Sequence, residues 1–365
     1  MAVLRRADLR VDARHLCAGV LAVAAEPVAE VIAVYVSNAD SGEIGVYRLD
    51  AARGELAPVR AVAVGGQVMP MALSPDRRFL YAARRSDPLE VLSFAIDPRS
   101  GELAALGAAP LPHSMANIAT DRSGRWLFSA SYGGNLIAVS PIGADGVAQP
   151  AQQAIATAPH AHAIGADPSN RFVFATCLGG GHVMQLRFDA ATGRLTPNDP
   201  PLFTPHAGAS PRHFAFDPAG RFVYLLNELD AMIDVLAFDA AAGTLRTVQT
   251  VASLPPGVDG APWAADLHLG PDGRFLYVSE RRSSTLAAFR VDPENGQLAP
   301  LGHVPTEAQP RGFAITPDGA FLIAAGQQSD RLAVYTIDAR RGALALRSTC
   351  AAGRNPNWIE VVALT

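Results

Sequence analysis

Short strand-like runs of apolar and polar positions recur along this chain. Each ends in an acidic or polar turn, then a Gly, then a small apolar landing residue. The copies begin with Ile44 to Asp50 followed by Gly54-Glu55-Leu56, Leu89 to Leu92 followed by Gly101-Glu102-Leu103, and Leu136 to Val139 followed by Gly146-Val147. They continue with Val183 to Leu186 and Gly193-Arg194-Leu195, Ile233 to Leu236 and Gly243-Thr244-Leu245, Leu286 to Phe289 and Gly296-Gln297-Leu298, and Leu332 to Tyr335 and Gly342-Ala343-Leu344. Successive landing residues are 47, 44, 48, 50, 53 and 46 positions apart. A repeat of that length, made of short strands and turns, predicts the blades of a β-propeller.

A second element lies between those copies: Ser74 to Tyr81, Asp121 to Phe128, Asp167 to Phe174, Asp217 to Tyr224, Gly270 to Tyr277 and Thr316 to Ile323. Pro-Asp-Gly and Pro-Ser-Asn at their starts are turn chemistry, because Pro pre-sets φ and Gly or Asn tolerates φ > 0. Apolar residues on both sides make each a hairpin between two buried strands. Six copies against seven of the first element is the count expected if the ring closes inside one shared blade. Pro356 to Ala363 is then that blade's inner strand, with Ile32 to Val36 and Ile44 to Leu49 beside it. The fold predicted is an all-β, seven-bladed β-propeller closed by pairing of its N- and C-terminal strands, which removes a free sheet edge.

Residues 31 to 365 supply about 48 residues per blade, so one domain takes nearly the whole chain, although length alone suggests two. A net charge of −4 with no basic cluster argues against nucleic acid as a partner. Cys17, Cys177 and Cys350 are too widely spaced for a disulfide framework or a metal site, and a reducing cytoplasm fits them. Residues 1 to 30 precede the repeat. Arg5-Arg6 and the apolar run Leu16 to Ala25 resemble a signal peptide, but Asp8, Asp12 and Arg14 interrupt that pattern, so a dispensable, disordered extension or an over-long start assignment is the expectation. No apolar run approaches the roughly 20 residues of a transmembrane span, so no membrane partner is expected. A monomer is the default.

In a propeller the start of each blade's inner strand and the end of its second strand lie at the same mouth of the channel. Counting back from each hairpin gives Met69, Met115, His162, Arg212, Ala265 and Arg311. Counting forward gives Arg84-Arg85, Ser131-Tyr132, Cys177-Leu178, Asn227-Glu228, Glu280-Arg281 and Gly326-Gln327, with Ser37-Asn38 assigned to the N-terminal blade. Repeats have no structural need for different charges at equivalent positions, yet these differ blade by blade. Rim loops are polar in any propeller, so one charge there means little. Several Arg, a His and a carboxylate converging on one mouth suit binding an anion and moving a proton.

Arg212 and Glu228 end the two strands of one hairpin and are expected to be neighbours. An Arg beside a Glu keeps it ionised, which suits a general base or a structural ion pair. His162 is the alternative base. His160 and His162 alternate on a strand, but no third ligand stands at matching spacing, so no metal site is expected. The insertion running through Trp263 to His268 adds polar groups nearby, while His113, His182, His206 and His303 read as turn or surface residues.

At these residues the chain resembles the propeller-type 6-phosphogluconolactonases of bacteria, a branch of the family that includes the fungal 3-carboxy-cis,cis-muconate lactonizing enzymes. The stretches that carry the resemblance are Gly208 to Phe214, Tyr224 to Leu229, Trp263 to His268 and Thr306 to Gln327. The resemblance implies a seven-bladed propeller, no metal or other cofactor, and chemistry on a lactone ring at the channel mouth. It implies His162, Arg212, Glu228 and Arg281 as catalytic residues. The expected reaction is hydrolysis of 6-phosphogluconolactone in the oxidative pentose phosphate pathway. Glu228 or His162 would activate water, Arg212 or Arg281 would face the oxyanion, and Arg311 with Arg281 or Arg85 would hold the phosphate. Tyr132, Asn38, Asn227 and Gln327 are candidate substrate-binding groups. No Gly-x-Ser-x-Gly elbow supports a covalent serine mechanism. A different sugar lactone or a carboxylated muconolactone is the first alternative, and a non-catalytic interaction platform the second.

Overall fold

Alternating apolar residues and the turn chemistry between them build seven four-stranded antiparallel sheets, in a computed structural model that describes residues 31–364. Among these residues every regular element is a strand. The extension expected over residues 1–30 lies outside the described residues.

Blade 1 holds, from the channel outward, Pro356–Ala363, Ile32–Asn38, Glu43–Asp50 and Glu55–Ala63. The other blades follow in chain order, with inner strands Val68–Leu73, Asn117–Thr120, Ala161–Ala166, Pro211–Phe216, Ala264–Leu269 and Pro310–Ile315. Neighbouring inner strands touch in an unbroken ring, and Pro356–Ala363 touches both Val68–Leu73 and Pro310–Ile315. Closure follows the expected scheme, with Ile32 opposite Ala363 and Val36 opposite Ile359.

No blade buries its own faces. Seven apolar clusters fill the molecule, one between each pair of neighbouring blades. Second strands such as Trp126–Ser131 and Phe321–Gly326 are therefore buried at every position, whereas the outermost strand Leu103–Pro110 is mostly exposed. The repeated turn Gly has a part in this packing. Gly342 adopts φ 72°, which favours glycine, and a Cβ there would overlap the ring of Phe275 in the preceding blade. Tyr277 of that same blade donates its hydroxyl to the Gly342 carbonyl at 2.9 Å. Tyr35, Tyr81 and Tyr224 bond the turn glycines Gly101, Gly146 and Gly296 in the same way.

One irregularity matters for function. The inner strands of blades 4, 5, 6 and 7 shift register against their second strands at His162-Ala163, Arg212, Ala265 and Arg311. Blade 2 does so at Met69-Pro70, and blade 1 between Ser37 and Asn38, opposite Asn357. A bulge frees a residue from the ladder and re-aims its side chain. The column found by counting residues is thus largely a column of bulges.

Candidate active site

Four segments bring the polar groups together. The bulge in blade 5 presents Arg212, whose carbonyl accepts a hydrogen bond from the Thr176 hydroxyl of blade 4 at 2.8 Å. The end of the paired second strand presents Glu228, tied by its N–H to the Ser210 carbonyl at 2.9 Å. The Glu228 carbonyl accepts from the Ala264 N–H at 2.9 Å, which links blade 5 to blade 6. The segment joining those blades, the longest spacing in the repeat, delivers Trp263, and the end of blade 6's second strand delivers Arg281.

These groups converge on the Glu228 carboxylate. Oε2 accepts from Arg212 Nε at 2.7 Å and lies 3.2 Å from Arg281 Nη2, while Oε1 accepts from Trp263 Nε1 at 3.1 Å. Arg281 lies over the Trp263 ring, 3.9 Å from its centroid, and donates to the carbonyls of Trp263 and Ala264 at 3.1 and 2.9 Å. Arg212 donates further to the Ala265 carbonyl. Its side chain is 1 % exposed and that of Glu228 12 % exposed, so the pair is shielded from water. Burial pulls the Glu228 carboxyl upward, but the charges of Arg212 and Arg281 and the hydrogen bonds from Arg212 and Trp263 outweigh it and hold it below the usual glutamate range.

Positive charge is in excess here. Arg311, at the blade 7 bulge, is half-buried, and loss of hydration, Arg212 and then Arg85 disfavour its charged form. Burial and then Arg212 act on Arg281 in the same direction. Arg212 and Arg281 contact Glu228, Arg311 and Arg85 stand close by, and Asp266 is the one other carboxylate acting on Arg212 and Arg311, so four guanidiniums face two carboxylates. His162 stands among them with its Nδ1 buried and unpartnered. Burial and then Arg212, His213, Arg311 and Arg281 drive it far below an ordinary imidazole, so it is neutral at pH 7.

The structure brings His162, Arg212, Glu228, Arg281 and Arg311 together. Tyr132 joins them at the mouth, stacked on His160 at 4.1 Å and edge-on to His162 at 6.0 Å. Arg85 bonds Ser114 through Nε at 3.0 Å and faces Arg311. Asn227 instead donates to Asp234 at 2.9 Å, inside its own blade. Asn38 occupies the position equivalent to Asn227, one place earlier in the repeat than its sequence assignment, and bonds Glu43 at 3.3 Å. Gln327 is engaged on the rim by Gln309 and Asn355 at 3.1 and 2.8 Å.

Trp263, His213 and Asp266 are the contributors that residue counting did not single out. His206, expected as a turn or surface residue, is clamped between Asp234 and Asp230 at 3.0 and 2.7 Å. Among the described residues no group of three or more His, Cys, Asp or Glu gathers in a metal-binding arrangement.

A family described as "Lactonase, 7-bladed beta-propeller" matches residues 30–361. The 6-phosphogluconolactonase of Pectobacterium carotovorum subsp. carotovorum (strain PC1) is 45% identical over 297 residues, 81% of this chain and 89% of that protein. That of Serratia proteamaculans (strain 568) is 42% identical over 298 residues, 81% and 88% of the two chains. Among solved structures, the periplasmic gluconolactonase PpgL of Pseudomonas aeruginosa superposes with a TM-score of 0.86 at 31% identity, over 92% of this chain and 100% of that one. With the closed ring, the bulge column and these matches together, the chain belongs to the lactonase family of seven-bladed β-propellers.

Proposed function

We propose that this lactonase hydrolyses 6-phosphogluconolactone to 6-phosphogluconate in the oxidative pentose phosphate pathway, and does so in the cytoplasm. The observation that carries the substrate class is the surplus of guanidinium charge around Glu228, which an anionic ligand would relieve. Relatives named 6-phosphogluconolactonase at 42–45% identity support the phosphorylated substrate. The free thiols of Cys177 and Cys350 fit a reducing compartment.

In this reading the Glu228 carboxylate is an anchor. It is already engaged by Arg212, Arg281 and Trp263, and its depressed pKa leaves little affinity for a proton. His162 is the base: it is neutral, and the phosphate's negative charge would offset the surrounding cations and raise its proton affinity. Water adds to the lactone carbonyl carbon while His162 takes its proton, and Arg212 and Arg281 face the oxyanion. The ring C–O bond then breaks, and protonated His162 returns the proton it took from water to the departing ring oxygen, which regenerates the neutral imidazole. Arg311 and Arg85 hold the phosphate, Arg being suited to bidentate oxyanion binding.

The likeness to a periplasmic gluconolactonase favours an unphosphorylated lactone as the second reading. Hydrolysis of freshly made 6-phosphogluconolactone and of gluconolactone, with spontaneous hydrolysis subtracted, separates the two. Preference for the phosphorylated lactone, lost in Arg311→Ala, is expected. Equal rates on both lactones, unchanged in that variant, would reject the phosphate assignment.

A further inference from the structure

Arg212 has more neighbours than its ion pair with Glu228. Its Nη1 lies 3.3 Å from Nε2 of His213, the next residue along the strand. A guanidinium can only donate, so this contact is favourable only when Nε2 is the unprotonated nitrogen. The ring proton then sits on Nδ1, which is 2.7 Å from Asp266 Oδ1 on the neighbouring blade. That assignment makes a chain in which Arg212 donates to Glu228 on one side and to His213 on the other, and His213 donates to Asp266.

Asp266 is fixed from several sides. Its N–H donates to Ser279 Oγ at 3.1 Å, and Oδ1 also accepts from the Leu267 N–H at 3.0 Å. Oδ2 lies 3.1 Å from His268 Nε2 and 3.4 Å from the Phe313 N–H. Burial and the adjacent Arg212 lower His213 to about 4, so its imidazole is neutral at pH 7. Burial opposes ionisation of Asp266, but His268 and His213 outweigh it and keep the carboxylate charged. The same logic operates where a buried carboxylate sets the tautomer and orientation of a working imidazole.

We propose that Asp266 and His213 are positioning residues: Asp266 holds His213 as its Nδ1–H tautomer, and His213 Nε2 accepts from Arg212 and sets the guanidinium against Glu228. This rests on the lactonase reading above, in which Arg212 meets the oxyanion. Packing alone would need only the shape of the His213 ring, which touches His162 and Trp358 edge-on at 5.1 and 5.8 Å. The proposal needs its acceptor nitrogen.

The test compares His213→Phe, which keeps a ring of similar shape and removes the acceptor, with His213→Gln, whose amide oxygen can take the place of Nε2. In His213→Phe kcat is expected to fall by up to about 100-fold, the scale on which a small misplacement of a group at the reacting centre is felt, with KM little changed. His213→Gln is expected to recover most of that loss. Asp266→Leu is expected to lower kcat in the wild-type background and to cost nothing further in His213→Phe, because both act through one chain. The ¹⁵N–¹H resonance of Arg212 Nε is expected to exchange slowly in the wild-type protein, where that proton is buried against Glu228, to be lost in His213→Phe and to return in His213→Gln. Equal kcat losses in the Phe and Gln variants, or an undisturbed Arg212 resonance in His213→Phe, would overturn the proposal. The resonance needs no substrate, so a wild-type protein inactive on both lactones would reject the function while this readout still decided the positioning.

Discussion

At Glu228 and His162, two groups that sequence leaves equivalent as bases, the surroundings push in chemically different directions. The Glu228 carboxylate faces Arg212, Arg281 and Trp263, and stabilising its charged form weakens it as a proton acceptor. His162 has a buried nitrogen without a partner, and the same cations hold it neutral. Because its pKa is lowered, the base form persists as pH falls through 6.5, and kcat/KM is expected to stay at its neutral value there and decline only well below. A pH–rate profile checks this, and His162→Ala should remove that acid limb. An inflection at the ordinary imidazole value in the wild-type enzyme would instead mean a solvated base.

Single strands explain which site residues were legible in advance. The hairpin turns are written in local chemistry, so counting from them reached His162, Arg212 and Arg311 at the bulges. Counting to the strand ends returned pairs, and successive residues of a strand point to opposite faces. Only one of each pair can face the channel: Glu228 rather than Asn227, and Arg281 rather than Glu280, whose carboxylate instead caps Trp263 N and Ser283 N at 2.6 Å. Trp263 was reached only as part of the insertion through His268, with no counted position of its own, because that segment's length breaks the repeat. His213 and Asp266 escaped because their meeting is between blades, and no spacing within one repeat encodes it.

The segment joining blades 4 and 5 carries a further consequence at this scale. It is pinned by His206 between Asp230 and Asp234, and Asp234 also accepts from Thr250 at 2.7 Å and from Asn227. Burial alone would depress His206, but the two carboxylates outweigh it and raise its pKa above 6.5. The stability this contributes is whole below the unfolded value and is lost as pH rises through the higher folded one. Melting temperature is therefore expected to fall above pH 6.5 in the wild-type protein and less so in His206→Gln. Parallel melting curves for the two would remove this role.

For the molecule as a whole, the seven clusters between blades mean that stability belongs to interfaces shared around the ring. A chain ending at residue 355 would lack the inner strand Pro356–Ala363 and with it apolar contacts to both neighbouring blades. Loss of cooperative folding is expected, seen as a missing thermal transition. A truncated chain that melts like the full one would show that six complete blades suffice.

The closing strand has one more implication. Leu364 N donates to the Val31 carbonyl at 2.8 Å, so the two ends of the ring are already side by side. Which blade is made first is then a matter of where the polypeptide is cut. Joining residue 364 to residue 31 through a short linker, and opening the chain at the exposed turn Pro271-Asp272, should yield a circular permutant with the same ring and the same charge cluster.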